Sequence, residues 1–198
     1  PSGGRTPSTS PIEGTTSAKD GQQSAVVPAS SPGISIERNW DAVGMRGTSS
    51  DTIKYEKCFV RREDCLGGIA ALGSIDITGF ALGYSAIYLG IGEAAFDYMV
   101  ESARTRTLRP STEPMAHHPL VQRTVAEVGT ALRAARLLLH EAATVRMAGD
   151  KAATMLAVNQ AKTYCADVGL EATTRALRLA GGRGILKELP LERWHRDA

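Results

Sequence analysis

Gly181-Gly182-Arg183-Gly184-Ile185-Leu186-Lys187-Glu188-Leu189-Pro190-Leu191-Glu192-Arg193-Trp194-His195-Arg196-Asp197 closes a long helical pattern and opens onto a short charged segment. Without a Cβ, glycines 181, 182 and 184 allow positive φ and let a backbone come close to a bulky group. Taken alone, GG-x-G reads as a helix C-cap with a loop after it. Upstream of it, Met155, Leu156, Val158, Ala161, Cys165, Val168, Ala172, Ala176 and Leu179 recur at three- and four-residue intervals, the spacing of one helix face. Asp150 is the expected N-cap.

The same periodicity extends further back. A helix expected from about Pro119, with proline in its first turn, carries Val121, Val125, Val128, Leu132, Ala135, Leu139, Ala142 and Val145. Another spans about Thr78 to Thr105, with Phe80, Tyr84, Ile87, Tyr88, Ile91, Ala95, Tyr98 and Met99 as its stripe. Between them, Arg106 to Pro119 is polar and holds Pro110, Pro114 and Pro119, which break the pattern. Three amphipathic helices on short connections predict an up-down arrangement in which each stripe needs partners.

Residues 24–65 have the character of β-structure. Ala25-Val26-Val27 and Ile34-Ser35-Ile36 flank the turn signal Ser31-Pro32-Gly33, and Thr52 to Val60 alternates at period two like a half-buried strand. A Gly-rich linker after Asp64 then leads to Thr78. Residues 1–23, rich in Pro, Ser, Thr and Gly, lack the apolar side chains that could offset the entropy of ordering. The expected organisation is a flexible segment over 1–23, a β-segment over 24–65 and a helical domain over 66–198. The fold class is α+β, mainly α: a short β-segment followed by an up-down four-helix bundle that is incomplete, since no fourth long helix precedes Ala198.

Composition narrows the functional classes. Twenty-three Lys and Arg against 21 Asp and Glu leave a net charge of +2, which gives no steering towards nucleic acid or an anionic membrane. No apolar run approaches the roughly 18 to 20 residues of a membrane span. The three cysteines, Cys58, Cys65 and Cys165, are odd in number and lack metal-type spacing, so neither disulfide nor zinc is expected. His117-His118 has no second ligand pair at helical spacing and reads as a polar loop, so no metal site is expected. Cys165, on an apolar helix face, reads as core.

The order GG-x-G, Glu, Pro, Glu-Arg and Arg-Asp over 181–197 closely resembles the C-terminal flavin-proximal segment of the acyl-CoA dehydrogenase superfamily. Trp40-Asp41-Ala42-Val43-Gly44-Met45-Arg46-Gly47-Thr48-Ser49-Ser50-Asp51 resembles the turn of that family's middle β-domain, in the family's order. The resemblance implies FAD as cofactor, bound at subunit boundaries of a homodimer or homotetramer, with Gly181, Gly182 and Gly184 in close approach to it. It further implies that Arg106 contacts the FAD pyrophosphate and that Gln122 belongs to the flavin-facing pattern at the start of the second helix. An acyl-CoA substrate in fatty acid metabolism, an electron-acceptor flavoprotein and a cytoplasmic location, or the mitochondrial matrix in a eukaryote, are implied in the same way.

Other positions depart from the family. Arg109-Pro110 replaces a Phe-Gly, and Pro119 and Arg178 stand where glutamines are common. Most members carry the catalytic glutamate shortly after the Arg-Asp that matches Arg196-Asp197, which here falls beyond Ala198. A minority carry it ten residues before the glycine that matches Gly90, and that position is Phe80. No residue therefore matches the catalytic base. Three readings stay open: an FAD-dependent acyl-CoA dehydrogenase, a flavin monooxygenase of the same fold, which needs no carboxylate base, and a non-catalytic helical interaction module.

Overall fold

The computed structural model describes residues 23–68 and 77–198. The flexible segment expected over 1–23 lies outside them but for its last residue, as does 69–76 of the expected linker. The chain forms two compact units, one within Pro1–Asn39 and Ser50–Asp76, the other Trp40–Ser49 with Ile77–Ala198.

In the first unit β1 (Gln23–Ala25) pairs antiparallel with β4 (Cys65–Gly68), and β2 (Ile34–Glu37) with β3 (Thr52–Tyr55). Opposed pairs Ile34–Tyr55 and Ile36–Ile53 put four apolar side chains on one face of the β2–β3 ribbon. Three expectations change. The strand expected over 52–60 stops at Tyr55, because Lys57 turns left-handed at φ 50. Nor is it half-buried, for Ile53 and Tyr55 are exposed. The Gly-rich stretch after Asp64, expected as linker, begins instead as β4, satisfying its backbone against β1.

The second unit is helical: α1 (Ile77–Thr105), α2 (Pro119–Ala148), α3 (Lys151–Ala180) and the short α4 (Leu191–Asp197). Local chemistry sets each boundary. Pro119 takes the first helical position of α2, and the His118 ring accepts from the Leu120 N–H through Nδ1 at 3.2 Å. Gly149 ends α2 in the left-handed conformation at φ 86. Asp150 caps α3, its Oδ1 accepting from the N–H groups of Ala152 and Ala153 at 2.9 and 3.0 Å. Replacing Asp150 with alanine leaves both donors to water and is expected to cost about 0.5–2 kcal/mol, checked by thermal melting.

The core is built from Leu89, Ala95 and Met99 of α1, Val128, Leu132 and Ala135 of α2, Cys165, Val168, Ala172 and Ala176 of α3, and Leu191 of α4. Of the expected α2 stripe, Val121, Val128, Leu132, Ala135 and Ala142 are buried, while Val125, Leu139 and Val145 are half-buried. On α1 the face differs: Phe80, Tyr84 and Ile87 are exposed, while Ser85, Leu89, Gly92, Ala95 and Met99 point inward. The cause is close helix packing, since a Cβ on Gly92 would lie 3.0 Å from the Gly169 Cα of α3, and only small residues allow that approach. Met155 and Leu156 of α3 are exposed for want of a facing helix among the described residues. Cys165 is core as expected, and burial with the Glu93 charge nearby pushes its thiol up, away from nucleophilic use. Among the described residues no helix is long and apolar enough to cross a membrane, and no cluster of His, Cys, Asp or Glu could hold a metal.

Candidate functional site

Up-down topology brings the end of α1, the start of α2 and the end of α3 to one end of the unit, and the sequence-derived residues gather there. Arg106 continues the last turn of α1, its N–H bonded to the Ser102 carbonyl at 3.0 Å. Its Nη1 donates to Ser102 Oγ at 3.4 Å and to the Ala180 carbonyl at 3.5 Å, beside the glycine turn. The guanidinium's other donors have no partner among the described residues, so its charge stays available at the edge of the turn.

A 3-10 turn, Met115–His117, joins α1 to α2. The Met115 N–H donates to the Arg106 carbonyl at 2.8 Å, and Gln122 Nε2 donates to the Ala116 carbonyl at 2.9 Å. Buried Met115 packs with Ala103 and Val121, and Leu179 of α3 closes the cluster. Arg106, Gln122 and the glycine turn are thus tied to one piece of packing. Arg178, in the last turn of α3, is exposed.

The three glycines of the turn are glycine for different reasons. Gly181 sits at φ 65, ψ −149, a region essentially restricted to glycine, and its N–H closes α3 on the carbonyls of Leu177 and Arg178. Gly184 is buried, and a Cβ there would press on Leu177 and the Ala180 Cβ at 3.1 and 3.3 Å. Gly182 has neither reason: its φ is ordinary, and a Cβ would meet no described atom within 4 Å. The chain's own packing leaves Gly182 open towards solvent.

Beyond the turn, α4 returns to the bundle. Leu191 is fully buried, and His195 Nδ1 lies 3.1 Å from the Oγ1 of fully buried Thr173. The Thr173 hydroxyl donates to the Leu170 carbonyl at 2.8 Å, so it accepts from His195. Arg196 donates through Nε to Glu192 at 2.7 Å, and this bond first of all holds the Glu192 carboxyl below the usual range. The 40–49 turn docks on the last turn of α4, where the Met45 N–H donates to Asp197 Oδ1 at 2.7 Å. Sequence spacing gave no hint that these two stretches meet, as 152 residues separate the partners.

Residues 82–198 match the family model described as acyl-CoA dehydrogenase, C-terminal domain. The chain belongs to the acyl-CoA dehydrogenase superfamily. It is 30% identical over 185 residues to cyclohexane-1-carbonyl-CoA dehydrogenase of Geobacter metallireducens, covering 91% of this chain and 47% of that protein. Human mitochondrial short-chain specific acyl-CoA dehydrogenase is 28% identical over 178 residues, covering 87% and 42%. Among solved structures, butyryl-CoA dehydrogenase from Megasphaera elsdenii superimposes with a TM-score of 0.80 at 25% identity, covering 93% of this chain and 48% of that one. This acyl-CoA dehydrogenase family chain thus spans about half the length of the curated relatives it matches.

Phe80, which matches the position the family's minority uses for its glutamate, is an exposed phenyl group in the first turn of α1, at the other end of that helix from Arg106. His118 is committed to capping α2.

Proposed function

We propose that the protein is an FAD-dependent acyl-CoA dehydrogenase that removes the α-proton and the β-hydride of an acyl-CoA thioester. The observation that carries this reading is Gly182, open where the chain's own packing requires no glycine, beside a half-buried arginine whose charge is only partly used. A flat, bulky ring system needs such a surface without a Cβ, and phosphate oxygens suit a guanidinium. Arg106 and the turn Gly181–Gly184 would hold the FAD, with Gln122 in support at the start of α2. When bound, FAD supplies the acceptor for the β-hydride.

The chain's own residues contribute position and charge. Arg106 is kept in place by the Ala180 carbonyl and by the 3-10 turn below it, so its charge is set before any ligand arrives. The Phe80 side chain cannot take a proton, so the general base of the proposed reaction is another residue. The acyl-CoA substrate, a homo-oligomer with flavin at its subunit boundaries and an electron-acceptor flavoprotein belong to the same proposal.

The test is anaerobic mixing of the oxidised full-length protein with a panel of acyl-CoAs, short-chain and alicyclic thioesters among them. Bleaching of the flavin absorbance in a single turnover is expected, because the substrate is the reductant. A flavin that stays oxidised with every thioester, while added reduced flavin and oxygen give a hydroxylated product, would overturn the proposal in favour of an oxygenase.

A further inference from the structure

The turn at 40–49 is held in a conformation its residues do not favour. Met45 lies at φ 52, ψ 34, in the left-handed region that side chains with a Cβ rarely adopt. Its N–H donates to Asp197 Oδ1 at 2.7 Å. Its carbonyl accepts from Trp40 Nε1 at 3.1 Å and from the Thr48 hydroxyl at 2.9 Å. One residue earlier, Gly44 is pressed so closely on α4 that a Cβ would stand 1.8 Å from the Arg196 carbonyl oxygen. Before that, the Val43 carbonyl accepts from Arg196 Nη1, while the same guanidinium is braced by Glu192. The last turn of α4 therefore holds the Val43 carbonyl with a guanidinium and the Met45 N–H with a carboxylate, and Gly44 packs against its backbone between the two.

Both ends of this grip are fixed. On the bundle side, α4 is anchored by buried Leu191 and by the His195–Thr173 bond, and chain continuity ties it to the glycine turn beside Arg106. Asp197 directs its Oδ1 out of the helix at the Met45 N–H. Strained backbone held by long-range hydrogen bonds collects where geometry is used.

We propose that Asp197 and Arg196 are positioning residues: they clamp the 40–49 turn onto α4 and so keep the glycine-turn segment in register for the flavin reaction. The kinetic half of this rests on the dehydrogenase reading, and the mechanical half does not. Small misplacements far from the reacting atoms can cost large factors in rate while binding changes little.

The experiment uses the full-length, FAD-loaded protein and its Asp197→Ala and Asp197→Asn variants. Two quantities are read: the limiting rate of anaerobic flavin bleaching by acyl-CoA, and hydrogen exchange at the Met45 amide. In Asp197→Ala the limiting rate should fall on the order of tenfold or more, with FAD content and the half-saturating thioester concentration unchanged. Met45 exchange should accelerate by a similar factor. Asp197→Asn keeps an acceptor oxygen for the Met45 N–H and should stay near the parent in both. If Asp197→Ala does not accumulate as folded protein, Asp197→Ala with Met45→Gly replaces it. Glycine accepts φ 52 without strain, so this double variant should fold yet bleach more slowly than the parent, and a parent-like rate in it overturns the proposal. Parent-like bleaching and parent-like Met45 exchange in Asp197→Ala overturn the proposal. A parent protein that no acyl-CoA bleaches overturns the dehydrogenase reading and the kinetic role with it, and the exchange ratio then decides the clamp alone.

Discussion

Leu191→Ala is expected to lower the melting temperature by on the order of 10 °C, because a fully buried leucine is lost where the chain after the glycine turn enters the core. Leu191 has no exposed surface and packs with the core that joins α1, α2 and α3. Truncating such a residue costs about 2–5 kcal/mol when the cavity cannot collapse, and in a chain of this size each kcal/mol moves the midpoint by about 2–4 °C. The half-buried Trp194 on the same helix packs against that core, so its fluorescence should shift to the red in the variant. A change of under about 2 °C with an unshifted emission would mean that α4 is not anchored as described.

The second large effect separates two glycines that the sequence cannot tell apart. Gly169 of α3 faces α1 so closely that a Cβ would lie 2.6 Å from the Tyr88 carbonyl oxygen and 3.2 Å from its carbon. Those are backbone atoms of a long helix and cannot swing aside, so Gly169→Ala should cost about 1–3 kcal/mol through forced separation of the helices. Gly90, two residues from Tyr88 on α1, is exposed, and a Cβ there meets nothing within 4 Å. Gly90→Ala should therefore stabilise the protein by up to about 1 kcal/mol, from helix propensity alone. Paired urea denaturation gives both signs at once. Destabilisation by both substitutions, or by neither, would contradict the packing of α1 on α3.

These glycines mark where the sequence stopped being legible. The ends of α2 and α3 could be read directly, because Pro119, Gly149, Asp150 and Gly181 carry their boundary chemistry locally. The core face of α2 could be read too, since charged residues such as Arg123, Glu127 and Arg136 fill its other sides. On α1 the periodicity named Phe80, Tyr84 and Ile87 as core, and the structure turns them outward. That helix is apolar on most of its faces, so period alone cannot choose among them. Contact with Gly169 makes the choice, favouring the side with Ser85 and Gly92, which a scale of hydrophobicity ranks below Phe80, Tyr84 and Ile87. In the β-segment, Lys57 at φ 50 ended a strand that alternation alone would have carried to Val60.

The candidate site divides in the same way. Arg106, Gln122 and the three glycines were picked out by resemblance, and topology gathers them at one end of the helical unit through bonds to Ala180, Ala116 and Arg106 itself. Not legible was the separate reason for each glycine, because that depends on φ and on neighbours remote in sequence. Nor was the grip of Arg196 and Asp197 on Val43 and Met45, whose partners lie 152 residues apart for the Met45 bond.

The most direct test of the flavin reading is FAD content per protein in Gly182→Ala, measured on the purified full-length protein beside its melting temperature. No described atom lies within 4 Å of a methyl group at 182, so the variant's apoprotein should melt within about 1 °C of the parent's apoprotein, the range of a neutral surface substitution. If the flavin lies against that backbone, the added methyl should strip most of the bound FAD. Full retention of FAD in Gly182→Ala would contradict the account and leave the glycine turn as nothing more than the end of α3.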